Sequence, residues 1–283
     1  MPHMLKQVLG SILTPEEAAQ VYSAFDQVGD IIIIKIPDNL MPKKALIAKA
    51  ILGNIKTAKA VFAQVSPVRG DFRVRDLEFL AGEDRTVTEY KEHACRFKVD
   101  VARTYFSPRL STERQRIAQM VQDDETIVNM FAGVGTYSIV IAKANKTCRV
   151  YSIDSNAVAS ELCEMNTKLN KVQDRVISIC GDAAEVIKDQ LADQADRVLM
   201  PLPERAKEFI EPAVLALKKK DGVVHYFAHI KADGKKASQE LGLAEAHDAF
   251  QKYDHKILGI RVVREVGPQI YQIVADVSVS RRC

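Results

Sequence analysis

What the 283 residues lack narrows the possibilities first. No apolar run approaches the ~20 residues that a membrane helix needs, and Ile31–Ile34 reads as a buried strand. The N-terminus has no basic region followed by an apolar stretch, so no secretory signal is expected and a cytoplasmic location is. The five cysteines (Cys95, Cys148, Cys163, Cys180 and Cys283) are scattered, odd in number and never spaced as C-x-x-C. Free thiols in a reducing compartment are the expectation, with no zinc site and no other metal. Charge of one sign is also missing. Forty basic side chains stand against 37 acidic ones, a net charge of +3, so overall electrostatics do not announce a nucleic-acid binder. Local basic clusters exist at Lys43-Lys44, Arg109/Arg114/Arg116, Lys218–Lys220 and Lys235-Lys236, and the run at Lys218–Lys220 reads as a solvated helix end or loop.

What is present is an ordinary globular composition, 47% hydrophobic and 27% charged, on a chain long enough for one large α/β domain and a smaller one. Thr14-Pro-Glu-Glu17 is a capping box with proline at the first helical position, predicting a helix to about Val28 that Gly29-Asp30 ends. Residues 31–36 read as a strand, 42–52 as a helix, and 59–65, 73–80, 85–90 and 95–99 as short strands. Residues 1–95 are therefore expected to form a small α+β domain and 96–283 a second domain. In the second the rhythm becomes alternating: helix 111–121, strand 126–131, helix 136–144, strand 149–153, helix 156–169, strand 175–180, helix 183–190, strand 196–200, helix 204–218, strand 222–227. That is the pattern of a mostly parallel, Rossmann-like sheet covered on both faces. Two long runs, 256–265 and 269–278 around Gly267-Pro268, predict a terminal antiparallel pair.

The richest stretch is Ile127-Val-Asn-Met-Phe-Ala-Gly-Val-Gly-Thr-Tyr-Ser138. β-Formers run into Phe131-Ala-Gly133-Val-Gly135, and a helical pattern begins near Thr136. Strand, glycine turn and helix in this order make a nucleotide pocket, because glycine tolerates positive φ and lets backbone amides approach a ligand. The next strand ends in Asp154, 21 residues after Gly133, where a doubly wound fold places the acid that grips a ribose. A dinucleotide fits poorly, since Ser138 stands where the third small residue of G-x-G-x-x-G belongs. Asp182, after the third strand of this domain, is either an acceptor for an adenine amino group or the cap of the helix at Ala183, or both. Ligands of such sheets sit at the carboxyl ends of strands, which also brings in the Pro201-Leu-Pro203 segment.

A second stretch, Tyr105-Phe-Ser-Pro-Arg-Leu-Ser-Thr-Glu-Arg114, lies just upstream. Pro108 disfavours helix at Ser107, and Ser111 is placed to cap a helix whose first turn holds Glu113 and Arg114. The bland reading of Glu113 is a capping-box or dipole-compensating acid; the functional one draws on the gathering of Tyr, Arg and Glu before a cofactor strand.

The wording Phe-Ala-Gly-x-Gly resembles the first motif of class I S-adenosylmethionine-dependent methyltransferases, with Asn129 where that family has Asp. The segments Cys95 to Arg114, Asn129 to Gly135, Leu169-Asn-Lys-Val172, Asp196-Arg-Val-Leu-Met-Pro-Leu-Pro-Glu204, Gly222-Val-Val-His-Tyr226, Val266-Gly-Pro268 and Ala275-Asp276 resemble the archaeal–eukaryotic tRNA (guanine-37-N1)-methyltransferase family. The likeness spans almost the whole chain, without the small leading module that some members carry.

The resemblance implies methyl transfer from S-adenosyl-L-methionine to a purine beside the anticodon of tRNA, by a monomer with no obligate protein partner. N1 of guanine carries a proton and is a poor nucleophile, so a carboxylate base and a cation for charge growing on O6 are needed. By alignment Glu113 matches the base and Arg73 the cation, with Arg75 the alternative if the register slips. Tyr105 is placed with these, and Arg109, Phe131, Gly133, Gly135, Asp154, Asp182 and Pro201 around the cofactor and target base. Pro201 replaces an asparagine that helps hold the base, and proline offers neither side-chain hydrogen bond nor N–H. Altered base choice or positioning follows as an open alternative. Two other readings stay in play: a wybutosine-pathway enzyme on the same nucleotide, transferring an aminocarboxypropyl group or methylating a tricyclic guanine derivative, and a non-catalytic tRNA-binding relative.

Overall fold

The computed structural model describes residues 8–10, 12–21, 25–67, 70 and 72–281; Cys283 lies outside them. The chain divides into two compact units, Met1–Pro108 and Arg109–Cys283. The boundary expected at 95/96 falls at the start of a strand that pairs within the first unit. The Tyr-Phe-Ser-Pro-Arg box therefore straddles the division.

In the first unit the capping box forms as the sequence prescribes. Thr14 Oγ1 accepts from the Glu17 amide at 3.3 Å and the Thr14 amide donates to Glu17 Oε2 at 2.9 Å. Helix α1 (Pro15–Gln20) is shorter than expected, however. Asp26–Val28 is a strand, β1, paired antiparallel with β2 (Ile31–Ile34), so Gly29 is not a helix stop but the tight link of a β-ribbon. It has φ +57°, and a Cβ there would lie 2.4 Å from the Glu89 carbonyl oxygen. A short 3-10 turn at Asp38–Lys43 precedes α2 (Lys44–Asn54), two residues later than predicted because Pro42 sits inside that turn. β3 (Ala60–Gln64) lies parallel to β2 and antiparallel to β4 (Leu77–Gly82), giving the order β1-β2-β3-β4. Ile32 and Ile34 pack with Leu40, Ile47, Ile51 and Val61 on the helix-covered face. β5 (Val87–Glu92) and β6 (Cys95–Asp100) form a separate antiparallel hairpin.

The second unit opens with α3 (Ser111–Met120). Its cap position is Leu110, with no side-chain capping bond, so the expected role of Ser111 as cap does not arise. The alternation then follows the predicted order: β7 (Thr126–Asn129), α4 (Thr136–Ala144), β8 (Arg149–Asp154), α5 (Ala157–Asn170), β9 (Val176–Cys180), α6 (Ala183–Val186), β10 (Arg197–Met200), α7 (Ile210–Ala216) and β11 (Asp221–Lys231). α6 runs into a π-helical turn at Ile187–Leu191, and a 3-10 turn at Ala206–Phe209 leads into α7, which shortens both helices relative to expectation. A helix the sequence reading left unassigned, α8 (Lys235–Phe250), precedes the antiparallel pair β12 (Asp254–Gly267) and β13 (Ile270–Ser280). The sheet order is β12-β13-β11-β10-β7-β8-β9, parallel from β11 to β9 and antiparallel where β13 inserts beside β11. A continuous apolar cluster under this sheet includes Val128, Ile153, Val198, Met200, Tyr226, Ile273 and Phe250. No helix among the described residues is long and apolar enough to cross a membrane.

The lysines at 218–220 are not merely a solvated end. Lys218 Nζ meets Asp196 Oδ2 at 2.6 Å and Lys220 Nζ meets Oδ1 at 2.7 Å, while the Thr126 amide also donates to Oδ2 at 2.9 Å. Burial pushes this carboxyl up, but Lys218, Lys220 and the Thr126 amide outweigh it and hold it below its ordinary value. Its contribution to stability is therefore present above the unfolded carboxyl's pKa and disappears as the pH falls below about 4. Asp196→Asn is expected to lower Tm at pH 7 and to flatten the loss of Tm between pH 5 and 3, measured by thermal unfolding across that range; an unchanged acid profile would contradict the assignment.

Candidate active site

The sheet order makes the ends of β10, β7, β8 and β9 neighbours, so Pro201, the glycine turn, Asp154 and Asp182 follow adjacent strands along one edge. The turn after β7 is built for close approach. Gly133 has φ +55° and Gly135 φ +85°, and a Cβ on Gly135 would lie 2.6 Å from Cys163 Sγ on α5. Gly135 is thus required twice, by its backbone conformation and by the helix packed against it. The amide of Gly135 donates to the Ala132 carbonyl at 3.0 Å, and Asn166 Nδ2 donates to the Val134 carbonyl at 3.0 Å from α5. Phe131 meets Phe209 edge to face at 5.0 Å between centroids.

Asp154 has more work than its spacing suggested. Oδ2 accepts the Gly133 amide at 2.6 Å and Oδ1 accepts the Asn156 amide at 2.9 Å. Burial raises its pKa, and those two amide bonds oppose the rise. Each carboxylate oxygen retains a lone pair, so the group can accept from vicinal hydroxyls while it fixes the turn. Asp182 caps α6, accepting from the amides of Ala184 at 2.8 Å and Glu185 at 3.3 Å, and it remains exposed beyond the strand end. Asn129 is fully buried; its Nδ2 donates to Ser138 Oγ at 3.1 Å, which also receives Ser152 Oγ at 2.6 Å. Oδ1 of Asn129 is buried with no protein partner, an acceptor beside the turn. Paired positive-φ glycines, a carboxylate at the next strand end and the first amides of α4 fit the adenosine and amino-acid parts of S-adenosylmethionine.

Glu113 is 2% exposed on the first turn of α3. Its carboxylate does not serve as a capping-box acid; it faces cations. Oε1 accepts from Arg116 Nε at 2.9 Å and from the second terminal nitrogen of the same guanidinium at 2.6 Å. Oε2 is buried without a hydrogen-bond partner, with Arg261 Nε of β12 at 3.5 Å. Burial raises the Glu113 pKa, Arg116 and then Arg261 pull it back, and Asp276 adds to the rise. The outcome is a carboxylate above its ordinary range with one unsatisfied oxygen, the character of a general base. Arg116, Asp276 and Arg261 were not singled out from sequence as site residues. The available signal was a charge inside an apolar strand, since Asp276 interrupts the buried run of β13.

In the first unit Arg73 and Tyr105 come together: the Arg73 guanidinium lies over the Tyr105 ring, 4.2 Å from its centroid. Arg73 has φ +52°, and its amide donates to the Gly70 carbonyl at 3.0 Å. Arg75 is committed to the sheet, 3.2 Å from Asp26 Oδ2 and 3.0 Å from Gln64 Oε1. Arg109 is exposed in the 3-10 turn Pro108–Leu110. Among the described residues no group of His, Cys, Asp and Glu could hold a metal ion.

Comparison with known proteins follows the same outline. Residues 88–257 match the TRM5/TYW2 methyltransferase domain, and residues 5–86 match the TYW2 N-terminal domain. The chain is 39% identical to the tRNA (guanine(37)-N(1))-methyltransferase Trm5b of Pyrococcus abyssi, over 91% of this chain and 75% of the relative. It is 35% identical to the tRNA 4-demethylwyosine(37)-methyltransferase Taw21 of Saccharolobus solfataricus, over 93% of this chain and 96% of that protein. Among solved structures, aTrm5 in complex with tRNALeu superposes with a TM-score of 0.85 at 34% identity, covering 98% of this chain and 78% of that one. The glycine turn, the buried carboxylate and the matched domain together establish that this chain belongs to the TRM5/TYW2 family of methyltransferases.

Proposed function

We propose that this protein is an S-adenosylmethionine-dependent tRNA methyltransferase that methylates N1 of guanine 37, beside the anticodon, in the cytoplasm. The observation that carries the reading is Glu113: a buried carboxylate with raised pKa, one oxygen saturated by Arg116 and the other open to accept a proton. The bound cofactor supplies an electrophilic methyl group on its sulfonium. Glu113 Oε2 takes the N1 proton as the nitrogen attacks, and a buried carboxylate is a stronger base than a solvated one. Arg73, held over Tyr105, is assigned to the negative charge developing on O6. Gly133, Gly135, Asp154 and Asp182 are assigned to the adenosine moiety, with Arg109, Phe131 and Pro201 lining the cofactor and target base.

A second reading is favoured by one observation. Pro201 removes the amide expected at a base-holding position. It is methylation of a tricyclic guanine derivative at the same nucleotide, with the same base and cofactor.

Product analysis separates the readings. The protein is incubated with unmodified tRNA and with tRNA carrying the tricyclic intermediate, using S-adenosylmethionine labelled in the methyl or in the aminobutyrate carbons. N1-Methylguanosine carrying methyl label is expected; methyl label only on the tricyclic nucleoside would select the second reading, and aminobutyrate label would sink both. Glu113→Ala is expected to lower single-turnover rate by about 100- to 10,000-fold with cofactor affinity nearly unchanged, measured by calorimetry beside rapid-quench assays. A large loss of cofactor affinity would contradict its role as base. Gly135→Ala should do the reverse, weakening cofactor binding and lowering Tm, since φ +85° and the contact with Cys163 both oppose a side chain.

A further inference from the structure

Glu113 is the first member of a buried chain of charged and polar groups that extends across three strands. Arg116 joins it to Asp276 of β13: the first terminal nitrogen of the guanidinium donates to Oδ2 at 2.6 Å and the second to Oδ1 at 3.0 Å. With Nε and the second terminal nitrogen on Glu113 Oε1, and Met120 Sδ 2.9 Å from the first, all five N–H groups of Arg116 have acceptors. Its orientation is therefore fixed from both ends. Asp276 Oδ1 also lies 2.6 Å from Nδ1 of His225, which is fully buried on β11. Nε2 of the same ring is 2.9 Å from a terminal nitrogen of Arg197 on β10. A guanidinium has no acceptor, so Nε2 must accept and the ring proton must sit on Nδ1, donated to Asp276. Arg197 in turn is held by Glu125, through Nε to Oε2 at 2.7 Å and a terminal nitrogen to Oε1 at 2.9 Å.

We propose that Asp276 and His225 are positioning residues for proton abstraction: by anchoring Arg116 they keep Glu113 Oε1 saturated and leave Oε2 as the single proton-accepting atom. The proposal rests on the reading of Glu113 as the base. The proton balance is simple. The N1–H bond breaks as the O–H bond forms on Oε2, and neither Arg116 nor Asp276 changes protonation. His225 stays neutral, because burial lowers its pKa and Arg197 adds to that against the pull of Asp276.

The groups facing Glu113 set opposite signs for two substitutions. Arg116 on its own helix and Arg261 on β12 favour its ionised form, while Asp276 on β13 disfavours it; His225 on β11 lies behind Asp276 as a neutral donor. Removing the cation with Arg116→Met leaves burial less opposed, so the acid limb of the rate profile moves to higher pH. Removing the anion with Asp276→Asn moves that limb to lower pH. Both variants should lower the plateau rate, by up to about 100-fold, because the carboxylate is no longer held in place.

The test is single-turnover methylation of tRNA by the full chain from pH 5 to 9, with cofactor affinity and Tm measured on each variant. Opposite shifts of the acid limb, with cofactor affinity retained, are expected; a fold defect alone would move neither limb in this paired fashion. Arg116→Lys, which keeps the charge but not the five-donor fork, should lower the plateau and leave the limb near its wild-type position. His225→Asn, which retains a donor toward Asp276, should keep more activity than His225→Leu. If Asp276→Asn does not fold, the Arg116 pair and the His225 pair decide the matter. Unshifted limbs and plateaus in these variants, with Glu113→Ala inactive, would overturn the anchoring and leave the base assignment standing. Turnover near the wild-type rate in Glu113→Ala would overturn both.

Discussion

The Asp154 carboxylate is the constraint on which the geometry of the second unit's nucleotide edge rests. One oxygen holds the Gly133 amide and the other holds the Asn156 amide, so a single side chain at the end of β8 ties the turn after β7 to the start of α5. Without it, two glycines with positive φ would have every freedom that makes glycine costly to order. With it, α5 is set close enough to the turn that Cys163 occupies the space a side chain on Gly135 would need. Asn166, from the same helix, then closes on the Val134 carbonyl. The conformation of the turn and the packing of α5 thus share the same bonds.

The contact of β13, β11 and β10 with α3 is organised by charge. Burying Glu113, Arg116, Asp276 and Arg197 carries a desolvation penalty, which is offset only when every partner is present. Arg116 holds Asp276 and Glu113, and the resulting pKa directions diverge: Asp276 lies far below its ordinary value while Glu113 lies above its own. Two carboxylates on one guanidinium therefore differ in basicity, because Asp276 also has the His225 proton and Glu113 keeps an unpaired oxygen. Separation of paired titratable groups in this way leaves one carboxylate a fixed counter-ion and the other the more basic of the two.

Much of this architecture was legible in the chain. The bounds of α4 matched the predicted 136–144, since Gly135 and Asn145 bracket an apolar helical run. The second parallel strand ends at Asp154 as its spacing predicts, and two long β-forming runs give the terminal antiparallel pair. Other elements were hidden for physical reasons. α1 has a clear start but no breaker before Gly29, so its early stop at Gln20 and the strand Asp26–Val28 could not be read locally. α8 escaped because its buried face is small: Ser238, Gly242, Ala246 and Phe250 recur every four residues and give little apolar periodicity. A Cβ on Gly242 would stand 3.0 Å from Ile260, which shows how closely that helix lies on the sheet. Glu113 was named from its motif, but its partners come from positions as far away as Asp276, and only the fold unites them.

That distance has a consequence for the making of the protein. Arg116 and Asp276 are separated by 160 residues, and β13, which carries Asp276, is inserted between β11 and β12. A ribosome adding about 5–20 residues per second leaves Arg116 waiting on the order of ten seconds or more for its second carboxylate. During that interval the glycine turn, β8 and α5 can already form from neighbouring sequence, whereas the half-buried arginine has only Glu113 and Met120 of its own helix. The glycine turn and the anchoring of Glu113 should therefore be completed at different times on the nascent chain, the first with the parallel strands and the second only when β13 docks.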